Sequence, residues 1–178
     1  MKTLLRIILW FVALLVIAGV IVYADGSSLP VNHSISVLGI IPAPPARTFD
    51  IIGDVANGAT WRSEIKSVTM LPPDNGMDHW VEDLGDGEKM VFSATEIDTA
   101  DPHGHLVRKV KLDGDPRFGG TWTYDVWPGP TPSQSMLKIT EDGFINPPIY
   151  RFMMAHIFGP ARNLKIYMND IQKKAAQS

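Results

Sequence analysis

The sequence predicts an α+β fold in which a curved antiparallel sheet of about seven strands surrounds a long C-terminal helix, preceded by one transmembrane helix. Residues 4–24 form an apolar run that is long enough to cross a bilayer. From Glu64 onward, apolar and polar residues alternate in short segments, as they do in half-buried strands. The chain closes with residues 147–174, whose apolar residues recur at helical spacing. Such a helix has to lie across the sheet to bury its apolar face.

The run at residues 4–24 contains one charge, Arg6, and as a helix it would be about 32 Å long, which matches the apolar thickness of a bilayer. Lys2 and Arg6 lie at its amino end, and Asp25 follows its carboxyl end. Positive charge favours the cytoplasmic side of a membrane. We therefore predict a single-pass anchor with its amino terminus in the cytoplasm and an extracytoplasmic domain, periplasmic if the source is bacterial.

The predicted organisation has four parts, and the first boundary is open to a second interpretation. The parts are a transmembrane anchor at 1–24, a linker at 25–31, a globular domain at 32–174 and a tail at 175–178. The alternative is a cleaved signal peptide, because Val22-Tyr23-Ala24 has the small residues of a cleavage site. The apolar run is longer than the ~7 to 15 residues usual in signal peptides, which favours the anchor.

The charge balance argues against a nucleic-acid partner. Beyond Lys2 and Arg6, the chain carries 14 basic and 19 acidic residues, a formal charge of −5. Binding to nucleic-acid phosphates requires a basic surface. The chain has 178 residues and no cysteine, and a domain of this length can bury a complete core without a disulfide. The sequence therefore predicts one stable domain with no nucleic-acid partner.

The domain is predicted to begin with a strand and a helix. Residues 32–41 alternate loosely between apolar and polar positions, which is typical of a strand. The proline-rich residues 42–45 end this strand and suit the first turn of a helix. Phe49 and Ile52 then follow at helical spacing, and the helix should stop near Asn57-Gly58.

Six further strands are predicted in the middle of the chain. They are placed near residues 67–71, 79–84, 89–97, 105–112, 120–127 and 135–141. Turn-forming glycine, proline, asparagine and aspartate residues separate them. Short connections join successive strands in antiparallel order, so the sheet should be a meander.

The last segment is predicted to be one long helix that begins at Pro147 and Pro148. Its apolar positions follow steps of three or four residues and are Ile149, Met153, Ile157, Pro160, Leu164, Met168 and Ile171. Pro160 supplies no amide proton, so Gly159-Pro160 should kink the helix.

Several short motifs resemble the START-related superfamily, in particular its polyketide cyclase and dehydrase branch, also called SRPBCC. The motifs are Pro116-Arg117-Phe118-Gly119-Gly120-Thr121-Trp122-Thr123-Tyr124, Thr140-Glu141-Asp142-Gly143, Asn146-Pro147, and Ile41-Pro42-Ala43-Pro44-Pro45 with Phe49, Asp54 and Trp61. The resemblance covers residues 32–174 and implies a helix-grip fold with a cavity for an apolar ligand between sheet and last helix. The family includes lipid carriers, quinone-binding proteins, aromatase and cyclase enzymes and ligand receptors. The fold alone therefore does not tell which ligand is bound or which reaction is catalysed.

Strand alternation, combined with the face of the last helix, predicts which residues line such a cavity. Apolar side chains that share a face on three strands would point toward the helix. The predicted ligand-binding residues are Trp61, Met90, Phe92, Arg108, Trp122, Tyr124, Met153 and Ile157. The alternative is that these side chains fill a closed core, because methionine and aromatic residues serve both purposes.

Arg108 stands out because it occupies the apolar face of its predicted strand. A buried guanidinium needs a carboxylate or a ligand acid as its partner. Glu82 is one candidate, and a carboxylate or phosphate on a ligand is the other. The alternative is that a β-bulge reverses the register and leaves Arg108 in solvent.

The sequence contains no recognisable catalytic or metal-binding motif. His103 and His105 flank Gly104 in a predicted loop without a third ligand at usable spacing, so neither a metal nor a cofactor is expected. The preferred hypothesis is a membrane-tethered binding protein for an apolar small molecule, lipid or quinone-like. One alternative is a cyclase- or hydrolase-type enzyme whose acid-base groups would be Arg108, Glu82, Tyr124 or His156. The other is an envelope scaffold with a closed core.

Overall fold

The computed structural model of the chain describes residues 2–85, 87–99 and 104–177. The elements follow in the order helix, strand, helix, six strands and a broken C-terminal helix. They are α1 (Lys2–Ser28), β1 (Asn32–Ile41), α2 (Pro45–Gly53), a 3-10 turn (Gly58–Thr60), β2 (Ser67–Met70), β3 (His79–Asp83), β4 (Lys89–Asp98), β5 (Leu106–Asp113), β6 (Phe118–Pro128), β7 (Ser135–Ile145), α3 (Pro148–Met153), a π-helical turn (Met154–Phe158) and α4 (Arg162–Ala176). The predicted element order is thus confirmed.

All seven strands form one antiparallel sheet in the order β1-β7-β6-β5-β4-β3-β2. Strands β2 to β7 make the predicted meander, and β1 closes the arrangement by pairing with β7 along its whole length, from Asn32 opposite Phe144 to Ile41 opposite Ser135. The predicted bounds of β1 are confirmed. The other strand bounds differ from prediction by at most four residues, because strand ends lack the periodicity of strand centres.

Helices α2 and α4 cover one face of the sheet at its β1–β7 end. The fully buried side chains there include Ile41, Leu137, Ile139 and Ile171. The buried hydroxyls of Thr48 on α2 and Ser135 on β7 hydrogen-bond to each other at 2.7 Å, so neither lacks a partner. This core fixes α4 against the sheet and thereby positions the wall of the site described below.

The C-terminal segment is not the single helix that the apolar spacing predicts. Helix α3 passes into the π-helical turn, which ends at Gly159, and α4 begins only at Arg162. Gly159 has φ +82°, a backbone conformation that ends helices, and Pro160 has no amide proton to continue one. The expected kink is therefore a complete break, and α3 and α4 bury different surfaces.

Helix α1 runs to Ser28, so that residues 25–28 of the expected linker are helical. It is long and apolar enough to cross a membrane, and none of its apolar span is buried within the protein. Its last turns pack on α3, where a Cβ atom on Gly26 would lie only 2.0 Å from the carbonyl oxygen of Pro148. The buried Arg151 side chain donates to the carbonyl oxygens of Gly26 and Ile145 at 2.8 and 2.9 Å. Helix α1 thus joins the domain through direct contacts.

Candidate functional site

A cavity of about 500 Å³ lies between α4, the segment after α2 and the strands β3 to β6. Its volume is in the range of sites that hold small molecules. Three of its lining residues, Glu64, Arg162 and Asn163, are exposed and mark its mouth. Arg162 and Glu64 form an ion pair there at 3.2 Å. The interior is therefore open space, in contrast to the closed core considered as an alternative above.

Six of the eight predicted ligand-binding residues line this cavity. They are Trp61, Met90, Phe92, Arg108, Trp122 and Tyr124. Met153 and Ile157 do not line it, and 62 % of the Ile157 side chain is exposed to solvent. The prediction that these two face the cavity is wrong because the chain breaks at Gly159, so that only α4 crosses the sheet.

Six aromatic side chains line the cavity. On the sheet side, Trp80 stacks on Phe92 with ring centroids 5.7 Å apart, and Phe92 meets Trp122 edge-on at 5.8 Å. On the helix side, Tyr167 of α4 stacks on Trp61 and meets Tyr124 edge-on, in both cases with centroids 5.8 Å apart. Such rings supply a large apolar contact area with few rotatable bonds.

Glu82 is buried in this wall and has two donors. The Trp80 indole nitrogen donates to its Oε1 at 3.0 Å, and Arg62 forms a close ion pair with the same oxygen. The Arg62 guanidinium also lies 4.7 Å from the centre of the Tyr167 ring. Burial alone lowers the pKa of Arg62, but Tyr167 and Glu82 outweigh it and raise this pKa above its ordinary value, so the group stays charged. Glu82 is therefore the partner of Arg62, and the suggestion that it pairs with Arg108 is wrong.

Arg108 is buried, with only 4 % of its surface exposed, and faces the cavity on the strand β5. Its Nη2 donates a hydrogen bond at 2.8 Å to Oδ2 of Asp78, the residue just before β3. A β-bulge does occur nearby, but on the neighbouring strand between Ala94 and Glu96, where it leaves the register of β5 against β6 regular. The alternative that Arg108 is solvated is thus wrong.

Tyr124 and Tyr167 place two hydroxyl groups inside the cavity. Burial raises the pKa of both above the ordinary value, and that of Tyr124 well above it. At neutral pH both side chains are consequently protonated and serve as hydrogen-bond donors, not as bases.

Sequence reasoning missed several members of the site, among them Arg62, Tyr167 and Asp170. Tyr167 follows the buried Leu164 by three residues on α4, so helical spacing alone assigns it to the cavity face. Asp170, one further turn along, accepts hydrogen bonds from the amide and hydroxyl of Ser63 at 2.7 and 2.8 Å. This contact ties the loop that carries Trp61 and Arg62 to α4. No sequence signal marks Arg62, which lies in that loop.

No histidine in the described part of the chain lines the cavity. His156 lies on the π-helical turn and contacts Oδ2 of Asp25 at 2.8 Å, so its suggested role as a base in the cavity is wrong. His105 pairs with Asp125 at 3.5 Å, and His103 lies outside the described residues. Within the described ranges, no group of three or more His, Asp or Glu side chains is placed to hold a metal ion.

No family model matches the sequence, and no curated protein matches it either. Solved structures do match. The Zhui aromatase/cyclase from Streptomyces sp. R1128 superposes with a TM-score of 0.64 at 13 % identity, covering 82 % of this chain and 94 % of that one. A START superfamily protein from Mycobacterium smegmatis gives 0.62 at 16 %, covering 82 % and 98 %. Norcoclaurine synthase from Thalictrum flavum gives 0.58 at 13 %, covering 87 % and 92 %. These similarities confirm the START-like fold.

Proposed function

We propose that this START-like protein is a membrane-tethered binding protein that holds an apolar small molecule, such as a lipid or a quinone, between its sheet and α4. The observation that carries the proposal is the open cavity of about 500 Å³ with aromatic walls. The aromatic and aliphatic side chains in this lining offer packing contacts to an apolar molecule. The START-like fold of the chain agrees with a ligand-binding role.

Two features support the proposed membrane tether: the helix α1 and the exposed apolar surface beside it. Ile149 and Tyr150 on α3 and Ile157 and Phe158 on the π-helical turn are all exposed, and this segment packs against the end of α1. As a helix of 27 residues, α1 is about 40 Å long, which exceeds the apolar thickness of a bilayer by about 10 Å. Its last turns would therefore lie among the lipid headgroups, where exposed apolar and aromatic side chains are favoured.

Ligand binding is tested by native mass spectrometry of the purified full-length protein after its release from lipid nanodiscs. We expect a bound apolar molecule that denaturation releases. Val110→Phe, which fills the cavity from β5, should abolish this additional mass. Val107→Phe on the opposite face of β5 is the matched control and should retain it. A wild-type protein that never carries such a molecule and binds none added to it would overturn the proposal.

The tether is tested by fractionation and by the intact mass of the mature chain. A protein anchored by α1 stays in the membrane fraction after carbonate washing and retains the full 19.6 kDa. A mass reduced by the first 24 residues, in a soluble fraction, would identify the segment as a signal peptide and refute the tether. This result would leave the binding function untouched.

One observation favours a second candidate, an enzyme of the cyclase type. Tyr124 and Tyr167, whose hydroxyl groups stay protonated at neutral pH, line a cavity whose wall also contains the cations Arg62 and Arg108. Such donors stabilise an enolate oxygen in carbon–carbon bond formation or dehydration. The test is to incubate the protein with a cell extract of small molecules and to compare it with the Tyr124→Phe/Tyr167→Phe double variant. New product masses with the wild type alone support the enzyme, and unchanged masses exclude it for that extract.

A further inference from the structure

Two hydrogen-bond donors in the cavity wall have no acceptor. They are Nε1 of Trp61 and Nε of Arg108, and both atoms are inaccessible to solvent. Both residues line the cavity, and Arg108 is almost completely buried. A buried donor without a partner is costly, and native proteins contain few of them. Among the described residues, these are the only buried side-chain nitrogen or oxygen atoms left in this state.

The acceptors that line the cavity are already in use. Glu82 accepts from Arg62 and Trp80, and Asp170 accepts from the Ser63 amide and hydroxyl. At the mouth, Glu64 accepts from Arg162. The carboxylates that line the cavity thus have protein partners, and the groups that remain unsatisfied are donors. Because both residues line the cavity, a molecule inside it is the source of acceptors that we consider.

The two donors belong to one continuous part of the wall. The Trp61 ring stacks on Tyr167, Tyr167 contacts Tyr124, and Tyr124 lies directly opposite Arg108 in the β5–β6 ladder. The aromatic rings of Trp80, Phe92 and Trp122 line the sheet side of the same cavity. The cavity therefore combines an apolar surface with a group of donors.

We propose that the ligand is amphipathic and carries acceptor oxygens, as a carbonyl or carboxylate, that hydrogen-bond to Trp61 Nε1 and Arg108 Nε while its apolar body contacts the aromatic wall. This inference rests on the proposed binding function and specifies the class of molecule that is bound. A pure hydrocarbon leaves both donors unsatisfied, and the site consequently discriminates against it. Arg108 already pairs with Asp78, so a neutral carbonyl suffices and a net negative charge is not required.

The test uses two compounds of nearly identical shape, 2-acetylnaphthalene and 2-isopropenylnaphthalene, which differ in an acceptor oxygen against a methylene group. Binding to the full-length protein in nanodiscs is measured by the change in protein fluorescence. The ketone should bind about tenfold more tightly than the alkene, as expected for satisfying a buried donor. Both compounds also enter the lipid. For each protein variant we therefore take the ratio of its affinity for the ketone to its affinity for the alkene, and we compare this ratio between variants. A third compound, 2-naphthoate, shows which oxygen-bearing group the site prefers. Tighter binding than that of the ketone would indicate a carboxylate ligand, and weaker binding would indicate a carbonyl ligand.

Trp61→Phe keeps an aromatic ring but removes the indole N–H donor, and it should reduce the preference for the ketone to about threefold or less. Trp127→Phe, outside the cavity, is the matched control and should retain the wild-type preference. Arg108→Met should have an effect similar to that of Trp61→Phe. If Arg108→Met does not fold, the NMR signal of the Trp61 indole N–H is measured instead. This signal is assigned by its absence from the spectrum of Trp61→Phe. That resonance should shift with the ketone and not with the alkene.

The outcomes separate this inference from the proposed function. Equal affinities for ketone and alkene, with an unmoved Trp61 resonance, would show that the cavity binds apolar molecules without using these donors. The inference would then be wrong and the binding function would stand. If none of the three compounds binds and no molecule accompanies the purified protein, both proposals fail.

Discussion

Arg62 and Glu82 form an ion pair in the cavity wall that connects the loop after α2 to the strand β3. Glu82 is almost fully buried, whereas the Arg62 side chain remains partly exposed. The pair also contacts α4, because the Arg62 guanidinium lies over the Tyr167 ring. One interaction thus fixes the relative position of three segments that enclose the cavity.

We expect Glu82→Gln to destabilise the protein. The variant keeps an acceptor for Trp80 but leaves Arg62 without its counter-charge in a mostly buried position. The loss in free energy of unfolding should be about 2–4 kcal/mol. Glu64→Gln removes the carboxylate of the exposed pair with Arg162 and is the matched control, with an expected loss below about 1 kcal/mol. Denaturant unfolding followed by tryptophan fluorescence measures both. Equal losses in the two variants would show that burial adds nothing to the inner pair.

The buried tyrosines make stability depend on pH in the alkaline range. Burial raises the pKa of Tyr124 and Tyr167 in the folded protein, whereas in the unfolded chain both titrate at about 10. Above that pH the folded state binds more protons than the unfolded state. The contribution to stability is therefore complete below about pH 10 and is lost as the pH rises through the folded pKa values.

This dependence is measured as the denaturant midpoint between pH 8 and 11. Tyr124→Phe/Tyr167→Phe should show a smaller decline than the wild type over that range. Tyr150→Phe, which removes the hydroxyl of an exposed tyrosine, is the control. A decline of equal steepness in wild type and double variant would mean that these hydroxyls do not cause it.

Gly26→Ala should separate α1 from α3. The added Cβ atom would lie 2.0 Å from the carbonyl oxygen of Pro148, a backbone atom that cannot move without displacing α3. Hydrogen exchange of the amides in residues 148–158 should accelerate at least about tenfold as this packing is lost. Gly19→Ala, on the same helix with nothing within 4 Å, is the matched control and should leave the exchange unchanged. Unchanged exchange in Gly26→Ala would show that α3 is held without α1.

The exposed side chains beside α1 should lie in the lipid headgroup region. The chain has no cysteine, so single cysteines at Phe158 and at Met70 can be labelled with a fluorophore without background. These side chains are similarly exposed, 47 % and 43 %, but Met70 lies on β2, at the opposite edge of the sheet from β1. Doxyl-labelled lipids should quench the probe at position 158 strongly and the probe at position 70 weakly. Equal quenching would contradict the proposed arrangement at the membrane.

The strands were predictable because alternation and turn residues are local signals. The alternation around Arg108 also placed it on the cavity face, and its burial confirms this. The continuity of the last helix was not predictable from spacing, because the apolar positions remain in phase across Gly159 while its positive φ redirects the chain. For the same reason Ile157 was wrongly assigned to the cavity. Ion-pair partners such as Asp78 for Arg108 depend on how strand ends and loops approach each other, which no local pattern records.

The contacts of Asp25 and Gly26 with His156 and Arg151 have a consequence for how the domain moves. A domain on a flexible linker would tumble freely, and the opening of its cavity would point in every direction. Here α1 contacts the domain directly, so under the proposed tether the opening beside Arg162 would keep one height and one tilt relative to the bilayer. Under the same proposal, a ligand would reach or leave the cavity from one fixed direction relative to the bilayer.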